Sequence, residues 1–396
     1  MTRVPLSVLD LAPVWEGGTG AEALQASLGR ARLVERLGFR RIWFAEHHLA
    51  PGVASSAPGV LAALAAGVTS TLRVGSAAVL LGSTSPVVAA EQFGTIAAAY
   101  PGRVDLGLGR ASFPPPSKGG DDTATVVPER APGATEDRVV DGLLVPANPP
   151  FTFRDPDLLA RFVAQQRYLG AARTPAAFTD ELRTVLDLLE GIARSDDGRD
   201  AVSPAVQDAD LDLWVLASSA GESARVAGEL GLPLAANYHV SPSTVLETVA
   251  AYRAAFRPGV LTEPYVVVSA DVLVAETDER AHELADPFAA WVLSIRSGAR
   301  AIPYPRPGTT TPWEQRSDDE RALLRDRIVS RLVGDASQVA AGLDALVRAT
   351  GADELLLTTI THDPADTARS YELLAREWGL AGAGELVGAG ASAAHS

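Results

Sequence analysis

Cysteine is absent from the 396 residues, which excludes disulfides, thiolate metal sites, iron–sulfur clusters and a cysteine nucleophile together. Lysine is nearly absent too. Lys118 stands alone among 34 basic residues, so a Schiff-base mechanism has almost no candidate, whereas arginine suits bidentate binding of phosphate. Positive charge is short overall: 49 acidic residues give a formal charge of −15, and nucleic acid or an anionic membrane would repel such a chain. A small-molecule partner fits better. There is no uncharged apolar run of 18 residues, and the start MTRVPLSVLDLAP lacks the parts of a signal peptide. These features predict a cytoplasmic protein with no membrane span.

What is present is alternation. Eight short apolar or β-branched runs occupy Leu6 to Leu11, Arg41 to Ala45, Arg73 to Leu80, Val104 to Leu108, Leu213 to Ala217, Pro233 to Asn237, Tyr265 to Val274 and Glu354 to Thr359. Between them lie segments of helical period, including Ala21 to Leu37, Ser85 to Tyr100, Glu222 to Leu230, Ser241 to Phe256 and Pro364 to Glu377. Eight strand–helix units predict a (β/α)8 barrel, with an open doubly wound sheet as the alternative. Gly38, Gly231 and Gly351 each fall between a helical run and the next strand, where a left-handed residue ends a helix.

Two stretches interrupt the pattern, Ser112 to Asp210 and Glu276 to Asp326, as insertions after strands 4 and 7. The first opens with a proline-, glycine- and charge-rich segment that reads as a mobile loop, followed by one helix over Thr179 to Ala193. On a barrel both insertions would lie on the catalytic face, where they could act as lids. A single domain is expected over residues 1–380, with Gly382 to Ser396 a frayed tail.

Chemistry concentrates at strand ends. In RIWFAEHH an apolar strand terminates in Glu46, His47 and His48, at the end where barrel enzymes hold catalytic groups. A capping Glu–His contact and a metal site are the competing readings, the latter with His239 and His362, which follow strands 6 and 8. No spaced ligand set supports a metal. LGLGRASF puts Arg110 after two glycines, where it could clamp a phosphate or be an ordinary surface arginine. LWVLASSAGESARVAG places Ser218 to Gly221 between a strand and a helix, suited either to a phosphate or to a plain N-cap. Neither is a GxGxxG dinucleotide fingerprint.

Taken in order, LSVLDLAPV, RIWFAEHHLAPGVASSAP, RVGSAAVLLGSTSPVVAAEQFGTIAAAYPGRVDLGLGRA, ASSAGESARVAGELGLPLA and GADELLLTTITHD resemble the bacterial luciferase-like family of flavin-dependent monooxygenases. The resemblance covers roughly Pro5 to Arg110 and Leu211 to Leu380. It implies a (β/α)8 barrel and a monooxygenase in which reduced FMN, delivered by a separate flavin reductase, reacts with O2 to give a flavin C4a-hydroperoxide. F420-dependent hydride transfer and a noncatalytic flavin-binding protein are the alternatives. By the same resemblance His47 is the catalytic histidine and Glu46 its flavin-site neighbour. Ala77 and Ala78 are where the backbone, often through a non-proline cis peptide, packs on the isoalloxazine. Arg110, Ser112, Ser219, Ala220 and Ser223 are implied as phosphate contacts, and Asp10, His48, Phe113 and His239 as substrate-pocket residues. A homodimer built on helices of the barrel's first half is also implied. The segment DGLLVPANPPFTF is similar to a branch of tailoring oxygenases from bacterial aromatic polyketide pathways, which implies an aromatic substrate and a place in antibiotic biosynthesis.

Overall fold

Arg41, Trp43 and Ala45 alternate with Ile42 and Phe44, and this period of two sends the first set inside a ring of strands and the second towards the surrounding helices. The structure, a computed structural model, describes residues 3–110, 134–150, 164, 168–169, 177–195, 197–298 and 300–383. Its strands are β1 (Leu6–Asp10), β2 (Arg41–Phe44), β3 (Arg73–Ser76, continued by Val79–Leu80), β4 (Val104–Gly109), β5 (Leu211–Ala217), β6 (Leu234–Asn237), β7 (Val266–Val274) and β8 (Glu354–Thr358). Each pairs in parallel with the next, and β8 returns to β1 through Leu6 opposite Leu355. That last pairing closes the ring and removes the open-sheet alternative. The fold is a (β/α)8, or TIM, barrel.

The helices are α1 (Gly20–Leu37), α2 (Pro58–Gly67), α3 (Pro86–Ala99), α4 (Phe178–Leu189), α5 (Glu222–Glu229), α6 (Val245–Ala255), α7 (Asp278–Ala285), α8 (Phe288–Arg296), α9 (Asp318–Ser330), α10 (Ala336–Thr350) and α11 (Pro364–Trp378). Thr19 and Glu22 form a reciprocal capping box at the start of α1, satisfying two otherwise orphaned donors. Gly38, Gly231 and Gly351 adopt φ of 85°, 62° and 63°, the left-handed conformation expected of helix-ending glycines. Helix α2 is apolar on both faces, leaving Val60 and Leu64 exposed, so it carries no clear helical period in the sequence.

Inside the barrel the layers differ in chemistry. The N-terminal layer is ionic: Arg41, 1% exposed at its side chain, donates to Asp105 at 2.9 Å and to Glu354 at 3.1 Å. Asp105 also accepts the Trp43 indole N–H at 2.9 Å and the Arg73 Nε–H at 3.0 Å. Above it, Trp43 and Trp214 meet edge to face with ring centroids 5.0 Å apart, amid Leu9, Val267 and Leu356. Gly75 makes room for this layer, because a Cβ there would stand 2.9 Å from the Trp43 ring and 2.3 Å from the Asp105 carbonyl oxygen. The C-terminal layer is open.

The insertion after β7 contributes a wall to that opening. Helices α8 and α9 bury Phe288, Trp291, Val292 and Leu324 against Val53, Tyr304 and Ile360. The return chain hydrogen-bonds the loops after β1 and β2, with Gly52 N–H to the Ala301 carbonyl at 2.6 Å and Tyr304 N–H to the Val14 carbonyl at 2.8 Å. A short strand, Leu332–Gly334, then pairs with the end of β7, so the excursion ends some residues beyond Asp326. From the insertion after β4, a hairpin of Arg138–Val140 and Leu143–Val145 turns at Asp141 and Gly142, both at positive φ, and α4 follows. The expected loop after Ser112 and the frayed tail lie largely outside the described residues. Among the described residues no helix is long and apolar enough to cross a membrane.

Candidate functional site

At the C-terminal mouth the strand ends and the β7 insertion enclose a cavity of about 630 Å³, within the ~300–1,000 Å³ usual for ligand sites. Its floor is built of small residues: Ala45, Ala77, Ala78, Gly109, Ala217, Ala235 and Ala236. The Ala77–Ala78 peptide is cis and divides β3 into its two parts. A Cβ on Gly109 would lie 3.1 Å from that of Ala78, so even one methyl would crowd this floor. Opposite, Trp291, Val292 and Ile360 form an apolar wall.

The three polar residues that end β2 separate in role. The Glu46 carboxylate accepts the Leu80 N–H at 3.0 Å and the Ser83 hydroxyl at 2.8 Å, and lies 2.8 Å from His48 Nε2. It ties β2 to the chain just beyond the cis peptide. His47 is set by its backbone: its N–H donates to the Ser55 carbonyl at 2.8 Å, while the buried Ser55 hydroxyl donates back to the Ala45 carbonyl. The residue is exposed and lines the cavity. Burial in the mouth, with help from neighbouring His48, pushes it down to about 4; it is a neutral imidazole at physiological pH.

His239, after β6, lies in the same cavity with Nδ1 2.7 Å from the Ser269 hydroxyl. Ser269 in turn donates to the Ala236 carbonyl at 3.3 Å, an assignment that puts the imidazole proton on Nδ1 and leaves Nε2 as an acceptor. Burial first, then the positive charge of Arg327 and the neighbouring His47, push His239 down to about 3. Both histidines therefore bind a proton less readily folded than unfolded. Below pH ~6.5 the unfolded chain takes up protons that the native state refuses until about 4 and 3. Stability is expected to fall as pH drops from ~6.5 towards 4 and to gain nothing from these groups above ~6.5. Urea midpoints across that range should show a shallower slope for His47→Ala than for the wild type; equal slopes would contradict the burial.

Arg110 follows β4 on the cavity wall and is ion-paired with Glu222, the first residue of α5. An arriving phosphate would compete with Glu222 for it. Ala217 and Ser218 reach the cavity, while Ser219 and Ala220, between β5 and α5, and Ser223, in the first turn of α5, are half-buried and do not line it. Ser112 and Phe113 lie outside the described residues. Asp10 is a correction. It is 2% exposed, accepts the Ala12 N–H and the Ser27 hydroxyl, and pairs with buried Arg30, so it braces the loop after β1 and α1 and does not enter the pocket. His362 is also elsewhere, its Nε2 3.1 Å from the Glu16 carbonyl. Among the described residues no three His, Asp or Glu side chains are grouped to hold a metal.

Several cavity residues carry no sequence signal of their own. Asn237, Ser269, Asp271 and Arg327 line it, and Ser55 holds the backbone of Ala45 and His47. Strand-end placement could have pointed to Asn237, and the polar Ser269 and Asp271 interrupt the apolar run of β7. Arg327 comes from α9 in the insertion, where no periodicity marks it.

The whole chain has close parallels. The family model described as luciferase-like monooxygenase matches residues 4–131 and 171–354. YvbT of Bacillus subtilis (strain 168) is 35% identical over 376 residues, covering 94% of this chain and 96% of that one. A luciferase-like monooxygenase of Escherichia coli (strain K12) is 33% identical over 372 residues, covering 93% and 96%. The crystal structure of apo-MsnO8 is 30% identical, with a TM-score of 0.72 over 96% of this chain and 99% of that one. With the closed barrel, the cavity at its C-terminal mouth and these matches in agreement, the chain belongs to the luciferase-like monooxygenase family.

Proposed function

We propose that this protein is a monooxygenase that uses reduced FMN, supplied by a separate flavin reductase, to insert oxygen from O2 into a small organic substrate, with an aromatic polyketide intermediate as the favoured class. The observation that carries the reading is the His47 imidazole lining a cavity of about 630 Å³ together with the small residues Ala77, Ala78, Gly109 and Ala217, which leave room for a ring system to pack on the strand ends. The residues present fit a flavin. Ala77, Ala78, Gly109 and Ala217 would lie under the ring, and Arg110 with the N-terminus of α5 would take the phosphate. When bound, reduced FMN supplies the electrons that activate O2.

The chain's own residues do the rest. His47, held by Ser55, has one nitrogen to donate and one to accept, so it can hold a proton at the reacting centre or remove one from it. Its low proton affinity keeps it from acting as a standing acid. Glu46 positions the residue 77–80 backbone and orients His48. The apolar wall from α8 excludes water from the mouth.

Titration with FMN, riboflavin and F420 tests the cofactor. FMN is expected to bind more tightly than riboflavin, and Arg110→Gln should cut that preference about tenfold through loss of a charged hydrogen bond. An undiminished preference, or binding of F420 in place of FMN, would count against this reading.

A homodimer is part of the same proposal. Val60 and Leu64 on α2 and Val87 and Val88 on α3 are 61%, 49%, 38% and 42% exposed, an apolar face in the barrel's first half of the kind that pairs with a copy of itself. Light scattering should give a dimer that Leu64→Glu with Val60→Glu splits. A monomeric wild type would end the idea.

A further inference from the structure

Arg327 projects from α9 into the cavity and is 6% exposed. Its Nε is buried without a hydrogen-bond partner, and among the described residues no carboxylate or carbonyl takes either of its other nitrogens. Its neighbours are already matched. Arg296 holds Asp326 through two bonds of 2.6 and 2.8 Å, and Arg331 holds Asp271 at 2.7 Å. Three guanidinium groups thus meet two carboxylates, and Arg327 is the excess cation. The Phe288 ring lies 5.7 Å from it, steadying the charge without occupying its donors. A buried cation left unmatched is costly, and proteins keep such charges where a partner arrives to match them.

We propose that Arg327 receives a carboxylate of the molecule oxidised in this cavity, so that the substrate is a compound with an apolar body and one carboxylate. The inference rests on the reading of the cavity as a substrate pocket. Three features fix the class. A guanidinium fork matches the two oxygens of a carboxylate. The adjoining wall of Trp291, Val292 and Ile360 is apolar and suits the body of such a molecule. One unmatched charge balances a monoanion, whereas a phosphate dianion would stay half-compensated. Arg327 belongs to the β7 insertion, whereas the residues proposed above for the cofactor's phosphate belong to β4 and α5 and the loops beside them. Arg327, His239 and His47 line the same cavity, so the anion site and the proposed reacting centre share one pocket.

The test uses benzoate, benzamide and inorganic phosphate as probes, titrated calorimetrically into the full chain with and without FMN. Benzoate is expected to bind at least tenfold more tightly than benzamide or phosphate. Arg327→Gln should erase that preference, Arg327→Lys should retain part of it, and the FMN-over-riboflavin preference should be unchanged in both. Arg327→Met, which removes an unmatched buried charge, should melt no lower than the wild type. Equal binding of benzoate and benzamide, a benzoate preference surviving in Arg327→Gln, or an Arg327→Met variant that melts well below the wild type would each overturn the proposal. So would loss of the FMN preference in Arg327→Gln, since the guanidinium would then serve the cofactor's phosphate. A protein that selects benzoate but takes no FMN keeps this inference and loses the flavin reading.

Discussion

Replacing His47 by Ala is expected to lower substrate oxidation on the order of 10²- to 10⁴-fold, the range for a group that moves a proton at the reacting centre, while leaving the fold intact. The separation of the two effects follows from where the side chain is. Its imidazole lines the cavity, makes no hydrogen bond to any of the described residues, and is positioned through backbone bonds from Ser55 that an alanine would keep. Truncation therefore removes chemistry without opening the core. Flavin affinity should change little, because the phosphate cradle and the small-residue floor are untouched. Steady-state oxidation rates, FMN titration and urea midpoints on the same variant give the answer. An unchanged rate would remove His47 from the mechanism, and a collapsed midpoint would make its role structural.

Asp105→Ala should produce the largest loss of stability, about 3–5 kcal/mol, because breaking a buried ion cluster leaves a charge without its match. Arg41 would lose its 2.9 Å partner at the bottom of the barrel, and the Trp43 indole N–H would lose its acceptor. Glu354 still faces Arg41 but already accepts from Tyr265 at 2.9 Å. A loss of that size is a large part of the ~5–15 kcal/mol that holds a domain together. Asp105→Asn, which keeps an acceptor, should lose less. A urea midpoint for Asp105→Ala within error of the wild type would show that the cluster is not a structural plug.

The barrel was legible because its signals are local. Period-two strands, period-3.6 helices and glycines at helix ends each depend on a few neighbouring residues, and Gly38, Gly231 and Gly351 all take the left-handed conformation that their positions imply. The same holds for Glu46, His47 and His48, where an abrupt change of polarity marks a strand's end. Asp10 misled for the matching reason: it too ends a strand, but Arg30 lies twenty residues away on α1 and claims it. Strand-end position does not tell a pocket residue from one that braces a loop. The hairpin at Asp141-Gly142 was readable from an Asp-Gly pair between apolar runs, and the low-complexity surroundings obscured it. Arg41, Asp105 and Glu354 looked like ordinary polar strand starts, since nothing within a few residues of each shows that the ring brings them together. Arg327 was out of reach for the same reason. Its unmatched charge exists only by comparison with Arg296, Arg331, Asp271 and Asp326, and those pairings are tertiary.

Stopped-flow mixing of the reduced, FMN-loaded protein with O2, following oxygen concentration and flavin absorbance together, asks whether reduced FMN carries oxygen chemistry in this cavity. O2 is expected to be consumed before the oxidised-flavin absorbance returns, and His47→Ala to shorten the delay. Simultaneous loss of O2 and return of oxidised flavin at the rate of free reduced FMN, or no reaction with O2 at all, would contradict it.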